Sequence, residues 1–153
     1  MVKERIQAYY AAKHKYPQNV IYYRDGVSIG QRAKVKHDEL SQIRAAYKEV
    51  VKTDLTSLTA IICVKRHHTR FYPVSATDET ESGNCKPGTM VDSGITSPYF
   101  CDFFLQSHHG LKGTAIPTHY FVVENGMEIP DGKGGSRKLS EGDLQKFVSW
   151  FCL

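Results

Sequence analysis

Two apolar runs of strand length, separated by one long helical pattern, restrict this chain to an α/β fold. The runs are residues 20–23, which are β-branched and aromatic, and residues 58–64, which are uniformly apolar. Between them, Ser28 and Gln31 have the spacing of a capping box, and apolar residues recur at helical spacing up to Lys52. The order of strand, helix and strand predicts two parallel neighbouring strands joined by a crossover helix.

The rest of the chain predicts further helices and strands. Residues 1–14 have the spacing of an amphipathic helix that ends before Pro17, and residues 78–88 form a polar loop. Three more segments have the composition of strands: residues 89–91, 101–106 and 118–123. We therefore expect a mixed sheet flanked by helices.

The last 30 residues divide into a polar segment and a helix. Residues 124–138 are dense in glycine and charge, which predicts a long exposed loop or a hairpin extension. Ser140 has the position of an N-cap, and apolar residues follow at helical spacing, namely Leu144, Phe147, Val148 and Phe151.

Composition restricts the class of protein. A chain of 153 residues with 41% hydrophobic residues is sufficient for one domain with a core. No apolar run is long enough for a membrane helix, and charges interrupt the first ten residues, so we expect an intracellular, soluble protein. The four cysteines have no CxxC spacing, which favours reduced, buried thiols over zinc. The net charge of +4 favours a polyanionic partner only if the cations cluster.

Five basic or titratable side chains follow the second apolar run, namely Lys65, Arg66, His67, His68 and Arg70. If the strand continues through them, alternate side chains face opposite sides, and one side can bind a phosphate backbone. Ordinary solvated surface charge is the alternative. A second histidine pair, His108 and His109, has no carboxylate at ligand spacing, so a zinc site is not expected and satisfied loop histidines are the alternative to phosphate binding.

Asp25 lies where the first predicted strand ends. Ligands of open α/β sheets bind beyond the carboxyl ends of the strands, so this position suits a catalytic or metal-binding carboxylate. An Asp-Gly turn that leads into the capped helix is the alternative. A single carboxylate cannot hold a divalent ion that needs several oxygen ligands, so a metal site would need acids from elsewhere.

Six blocks of the sequence resemble the Piwi domain of eukaryotic Argonaute proteins in order and spacing. They are "IYYRDGVSIGQ", "HDELSQIRAAY", "KRHHTRFYP", "SGNCKPGTMVD", "DFFLQSHHGLKGTAIPTHY" and "LQKFVSWFCL". The resemblance covers nearly the whole chain. It implies a ribonuclease H-like α/β fold, a small guide RNA and a paired target RNA as partners, and cleavage of the target by two Mg²⁺ ions.

By the same resemblance, Asp25 matches one of four metal-site residues. The family's other aspartate and its glutamate belong upstream of Met1, and the fourth ligand, His or Asp, belongs downstream of Leu153. We therefore expect residues 1–153 to be a partial Piwi domain that does not cleave RNA alone. Mg²⁺ is expected only in the complete domain.

The resemblance also implies which residues bind RNA. The segments "KRHHTR" and "SHHGLKGT" match parts of the family's guide channel, and the candidates are Lys65, Arg66, His68, Arg70, His108, Lys112 and Thr114. Three positions depart from the family's usual Glu, Arg and His, namely Ile29, Ile116 and Phe121. Ile29 puts cleavage by the parent protein in doubt, and Ile116 puts one guide contact in doubt.

Two alternatives remain open from the sequence. The chain could be a non-catalytic interaction module or a degenerate Argonaute copy, because the family's Piwi domain also binds Trp-rich silencing partner proteins. An autonomous nuclease would need further acids, such as Asp92, Asp102 or Glu124. We expect a cytoplasmic location, with the nucleus as the alternative, and no membrane partner.

Overall fold

The first part of the chain has the helix and strand order that the sequence predicts, in a computed structural model that describes residues 1–110, 112–131 and 135–152. The side chains of residues 151 and 152 lie outside that description. Helix α1 is Val2–Lys13 and strand β1 is Asn19–Asp25. His14 is the C-cap of α1 and has a left-handed φ of 54°.

The helical segment after β1 is one continuous path with changing winding. A 3₁₀ turn, Ile29–Gln31, precedes helix α2, Arg32–Lys34; a π turn, Val35–Glu39, then leads into helix α3, Leu40–Val51. The Ser28 amide donates a hydrogen bond of 3.3 Å to Gln31 Oε1, so the predicted capping box is confirmed.

The strands form a five-stranded mixed sheet and a separate hairpin. After β2, Ser57–Val64, come β3, Met90–Val91; β4, Asp102–Leu105; and β5, Thr118–Glu124. The hydrogen-bonded order is β1-β2-β5-β4-β3, which confirms β1 and β2 as neighbours. The β3–β4 and β4–β5 pairs are antiparallel, and Leu105 pairs with both Met90 and Thr118. A 3₁₀ turn, Ala76–Asp78, leads into the predicted polar loop.

The polar segment 124–138 forms a hairpin where the structure describes it. β6, Glu128–Pro130, pairs antiparallel with β7, Ser136–Lys138; residues 132–134 lie outside the described part. Two hydroxyls of β2 attach the chain just before the hairpin. Ser57 Oγ donates to the Gly126 carbonyl at 2.6 Å, and Thr59 Oγ1 accepts the Gly126 amide at 3.2 Å.

The chain divides into two compact units, each with its own buried residues. The first comprises Met1–Ile61 with Val123–Leu139, and its core packs Leu40 and Ile43 of α3 against Leu58 and Ala60 of β2. The second comprises Ile62–Val122 with Ser140–Leu153. Stacked aromatic pairs of β4 and β5 fill its centre, with the Phe103 and Tyr120 rings 5.3 Å apart.

The last helix, α4, is Glu141–Cys152. Ser140 caps it as predicted, because its Oγ accepts the Asp143 amide at 3.2 Å. Leu144 and Val148 of the predicted apolar stripe are buried, whereas the predicted Phe151 side chain lies outside the described residues. No helix in the described part of the chain has the length and apolar character needed to cross a bilayer.

Cys85 is a buried free thiol, as the sequence predicts, whereas Cys101 is a free thiol that is only half-buried. Burial raises the pKa of the Cys101 thiol to about 11 and also raises the pKa of Cys85. Both groups are therefore held as neutral thiols at physiological pH. The thiol of Cys152 lies outside the described residues.

Candidate functional site

Three loop segments of the second unit meet at one end of β4 and β5. Residues 106–110 follow β4 and residues 112–117 precede β5, and the pairing of Leu105 with Thr118 places both at the same end of the sheet. Residues 65–70 follow β2, and the His67 ring lies 2.8 Å from the Pro117 carbonyl oxygen. We call these three segments the basic edge. Within it lie seven of the eight residues that the sequence selects.

The expectation that the strand continues into residues 65–70 is wrong, because β2 ends at Val64. The His67 side chain turns inward instead. Its Nε2 donates to Pro117, and its ring meets the Phe104 ring edge to face at a centroid distance of 5.4 Å. Residues 65–70 therefore form a loop outside the sheet. Their side chains do not alternate between the two faces of the sheet, as they would in a strand.

The side chains of this loop differ in exposure. Lys65, Arg66 and His68 are exposed. Arg70 is half-buried, and its Nη1 donates to the carbonyls of His67 at 3.2 Å and Thr69 at 2.8 Å. The guanidinium of Arg70 thus holds the loop in shape, while the side chains of Lys65, Arg66 and His68 are exposed on the same loop.

A buried glutamine holds the second segment. Gln106 is 2% exposed, and its Nε2 donates to the His108 carbonyl at 2.7 Å. The Gln106 carbonyl accepts the Gly88 amide at 2.8 Å, and the Gln106 amide donates to the Thr89 carbonyl at 2.9 Å, so backbone and side chain are both hydrogen-bonded. The His108 side chain is exposed on a turn whose backbone is fixed.

A buried asparagine holds the third segment. Asn84 is 4% exposed; its Nδ2 donates to the Gly113 carbonyl at 3.0 Å, and its Oδ1 accepts the Ala115 amide at 2.7 Å. Lys112 and Thr114, the remaining candidates, are exposed on the backbone that these two bonds fix. Sequence patterns do not indicate this role, since its partners lie 29 and 31 residues away.

A buried hydrogen bond between His119 and Asp102 lies next to the aromatic layer of the second unit. His119 Nε2 is 2.6 Å from Asp102 Oδ2, with the two side chains 18% and 5% exposed. Asp102 Oδ1 also accepts the Ser97 amide at 2.9 Å, and the His119 ring stacks on Phe104 at 4.2 Å. Because Asp102 is buried and both of its carboxylate oxygens are hydrogen-bonded, its contacts are those of a structural residue.

Two of the three departures that the sequence shows also lie in this unit. Ile116 is part of the basic edge and is 39% exposed, so an apolar side chain interrupts the polar surface there. Phe121 is buried and packs against Phe100 at a centroid distance of 5.5 Å. Ile29, in the first unit, is exposed in the 3₁₀ turn after β1.

Asp25 belongs to the first unit and ends β1. Gly26 follows it with a φ of 57°, a left-handed conformation that suits glycine. The Asp25 carbonyl accepts a hydrogen bond from Arg24 Nη1 at 2.7 Å. The Asp25 residue is exposed and lines a groove of about 920 Å³.

A polar cluster behind Asp25 holds the end of β1. Glu39, in the π turn, accepts hydrogen bonds from the Tyr22 hydroxyl at 2.6 Å and from Arg24 Nε at 3.1 Å. The Tyr22 hydrogen bond lowers the pKa of Glu39. Burial, together with Glu39, raises the pKa of Tyr22 to about 12. The arrangement favours a charged Glu39, which in turn holds Arg24 beside Asp25.

The residues of this chain do not fit a two-metal centre. Two bound divalent ions need several oxygen ligands each, and Asp25 supplies one carboxylate. Across residues 1–110, 112–131 and 135–152, no group of three or more His, Cys, Asp or Glu side chains is placed to hold a metal ion. The chemistry that the described residues support is binding of anions at the basic edge.

Comparisons with known proteins all match this chain to the same family. A sequence model of the Piwi domain matches residues 1–133. The chain is 40% identical to Argonaute 2 of Oryza sativa subsp. japonica over 99% of its length, and 43% identical to Argonaute-2 of Drosophila melanogaster over 80%. It spans 14% of the rice protein and 10% of the fly protein.

Solved structures agree with the sequence comparison. The C-terminal lobe of a budding yeast Argonaute superposes with a TM-score of 0.79 at 30% identity, covering 95% of this chain and 30% of that one. The Kluyveromyces polysporus Argonaute with a guide RNA superposes with a TM-score of 0.72 at 35% identity, covering 78% of this chain and 16% of that one. The ribonuclease H-like α/β fold predicted from the sequence is confirmed.

Proposed function

The chain belongs to the Piwi-domain family of Argonaute proteins, and from that premise we propose that its basic edge binds the phosphate backbone of a small guide RNA in RNA silencing. The observation that carries the proposal is the convergence of three loops that expose three cationic side chains and three histidines. The full proteins that the chain resembles are several times longer, so the chain supplies part of the complete RNA channel.

Charge and exposure support phosphate contacts without base reading. Lys65, Arg66 and Lys112 carry exposed positive charge, and exposed His68 and His108 lie on the same three segments. Contacts of lysine and arginine with phosphate supply affinity that does not depend on base sequence, which suits a protein that holds guides of many sequences.

Arg70 and Thr114 take supporting parts in this proposal. Arg70 has five N–H donors, and its bonds to the two carbonyls use only the donors of Nη1. The donors on Nε and Nη2 can therefore bind a phosphate. The Thr114 hydroxyl is exposed on the loop that Asn84 holds, where it can donate to a phosphate oxygen. The similar Argonaute structure with a guide RNA supports an RNA ligand for the fold.

The binding experiment measures affinity as a function of salt. Fluorescence anisotropy of a short 5′-phosphorylated single-stranded RNA gives log Kobs against log salt concentration. Replacing Lys65 and Arg66 together by Ala should lower the slope by about 1.4, because each lost single-strand phosphate contact contributes about 0.7. The matched control replaces exposed Lys34 and Lys36 of the first unit, with the same change in charge and no expected change in slope.

Absence of salt-dependent binding in the wild-type chain would reject the RNA proposal. Retention of a Trp-rich peptide without RNA affinity would instead support the protein-interaction alternative. An equal loss of slope in the Lys34 and Lys36 control would show that net charge, and not the basic edge, determines binding.

We assign no cleavage step to this chain, because the possible metal ligands among its described residues do not fit a two-metal centre. Asp25 is proposed as one ligand of the magnesium site of a complete Piwi domain. The purified chain should leave a paired target RNA intact in the presence of Mg²⁺. Magnesium-dependent cleavage that disappears in Asp25→Ala would contradict this assignment.

A further inference from the structure

His67 differs from the other histidines of the basic edge because its side chain points into the protein. His68, His108 and His109 are exposed, whereas the His67 ring packs edge to face against Phe104 and reaches the Pro117 carbonyl. The bond joins two segments that are 50 residues apart in sequence. His67 therefore connects the loop that carries Lys65 to the loop that precedes β5.

We propose that His67 is a positioning residue whose neutral Nε2–H tautomer clamps residues 65–70 onto the start of β5 and so sets where Lys65 and Arg66 meet the RNA backbone. This inference rests on the proposed function, since it concerns the same RNA-binding edge. His67 itself contributes no charge to the RNA in this state. Its effect is to hold two exposed cations in fixed positions.

The surroundings of His67 select the neutral ring. A carbonyl oxygen only accepts, so Nε2 must carry the proton in the bond to Pro117. Among the described residues, Nδ1 is buried without a hydrogen-bond partner, so a second proton there would have no acceptor. Burial accordingly lowers the pKa of His67 below its ordinary value of 6.5.

The charged and titratable groups near the His67 ring also lower its pKa. His119 of β5 lies 6.5 Å away, centroid to centroid, and Arg70 and His68 of the same loop also disfavour a charged ring. β4 contributes the uncharged ring of Phe104, and the Asp102 carboxylate is already engaged by His119. Because the detached loop binds the proton more readily, the clamp is complete above pH 6.5 and weakens as pH falls below it.

Two substitutions of His67 separate the clamp from simple packing. His67→Leu keeps an apolar side chain but removes the donor, whereas His67→Gln keeps an amide donor at a similar reach and does not titrate. His67→Leu should weaken RNA binding about tenfold at 0.15 M salt and lower the salt slope by up to about 1.4, the contribution of two phosphate contacts. His67→Gln should bind as the wild type does at neutral pH.

The salt slope distinguishes a positioning role from loss of folded protein. A smaller folded fraction lowers the apparent affinity equally at every salt concentration, but it does not change the number of phosphate contacts per folded molecule. His67→Leu with an unchanged slope would therefore overturn the proposal. The control is His37→Gln, an exposed histidine of the first unit, which should change neither affinity nor slope.

A pH series tests the neutral tautomer directly. The wild type and His67→Gln share every other titratable residue, so the comparison between them from pH 7.5 to 5.5 cancels effects of pH that do not arise at position 67. The affinity of the wild type relative to His67→Gln should fall below pH 6.5, because only the wild type can protonate this position. A constant ratio over this range would overturn the requirement for a neutral ring.

Limited proteolysis tests the clamp without RNA, so its failure is distinguishable from failure of the proposed function. Trypsin cleaves after Lys65, Arg66 and Arg70, and a detached loop is a better substrate than a clamped one. His67→Leu should be cut faster at these bonds than the wild type, and His67→Gln should be cut at the wild-type rate. Equal cleavage of all three proteins would overturn the clamp even if the wild type binds RNA.

Discussion

Replacing Asn84 by Ala tests whether one buried carboxamide holds the third segment of the basic edge. The side chain makes hydrogen bonds to Gly113 at 3.0 Å, to Ala115 at 2.7 Å and to Ser82 Oγ at 3.2 Å, and the residue is 4% exposed. At about 1 kcal/mol for each bond, the variant should lose about 3 kcal/mol of unfolding free energy. The half-buried Ala115 amide, left without its acceptor, accounts for part of that loss.

The assay is urea unfolding followed by far-ultraviolet circular dichroism. The midpoint should fall at an unchanged slope, since the surface exposed on unfolding is nearly the same. Asn19→Ala is the matched control, because Asn19 is exposed at the start of β1 and should change stability by less than about 0.5 kcal/mol. A loss below about 1 kcal/mol for Asn84→Ala would show that the loop backbone does not depend on these bonds.

The same substitution has a second consequence at the proposed RNA-binding edge. Lys112 is exposed on the loop that Asn84 holds, so loosening that loop should remove one fixed phosphate contact. The salt slope of RNA binding should then fall by about 0.7. An unchanged slope in the destabilised variant would mean that Lys112 does not contact the RNA backbone.

Three further predictions concern stability. Asp102→Ala should cost about 2 kcal/mol in urea unfolding, at about 1 kcal/mol for each of its hydrogen bonds to His119 Nε2 and the Ser97 amide; an unchanged midpoint would contradict this. The hydrogen bond that lowers the pKa of Glu39 stabilises the fold above pH 4.5, and this stabilisation is lost as pH falls through the lowered pKa. The free energy of unfolding of the wild type should therefore exceed that of Glu39→Gln by about 1 kcal/mol at pH 6, and the difference should disappear in acid. Urea titration at both pH values measures it. Gly126→Ala should destabilise by about 1 to 3 kcal/mol because a Cβ would lie 2.5 Å from a β2 carbonyl oxygen, whereas Gly142→Ala, with open space in α4, should stabilise by about 0.5 kcal/mol; the opposite order would refute the comparison.

Local patterns were sufficient for the elements and their ends. The apolar runs at β1 and β2, the capping box at Ser28 and the N-cap at Ser140 all appear as the sequence predicts. Each depends on residues within one helical turn or a few strand positions, so its cause is present in a short segment. The changes of winding between β1 and α3 were not predictable from spacing, since the apolar stripe of α3 is compatible with an uninterrupted helix.

The residue types of the candidate site were also visible in the sequence, but their orientation was not. Among the five clustered basic residues, the sequence treats His67 as equal to its neighbours, and only the bond to Pro117 shows that it faces inward. Asn84 and Gln106 were missed for the same reason. The partners of Asn84 are a backbone carbonyl and a backbone amide of another loop, and the partner of Gln106 is the His108 carbonyl; no side-chain pattern records such bonds to the backbone.

The sequence by itself determined the family resemblance, the order of strands and helices, and the presence of several cations after β2 and β4. Only the tertiary structure decided which of those cations are exposed and which side chains hold them in place. The reason is physical: helix and strand periodicity arises from neighbouring residues, whereas buried polar bonds join residues 29, 31 and 50 positions apart. Such bonds form only when the folded sheet brings separate loops to the same end.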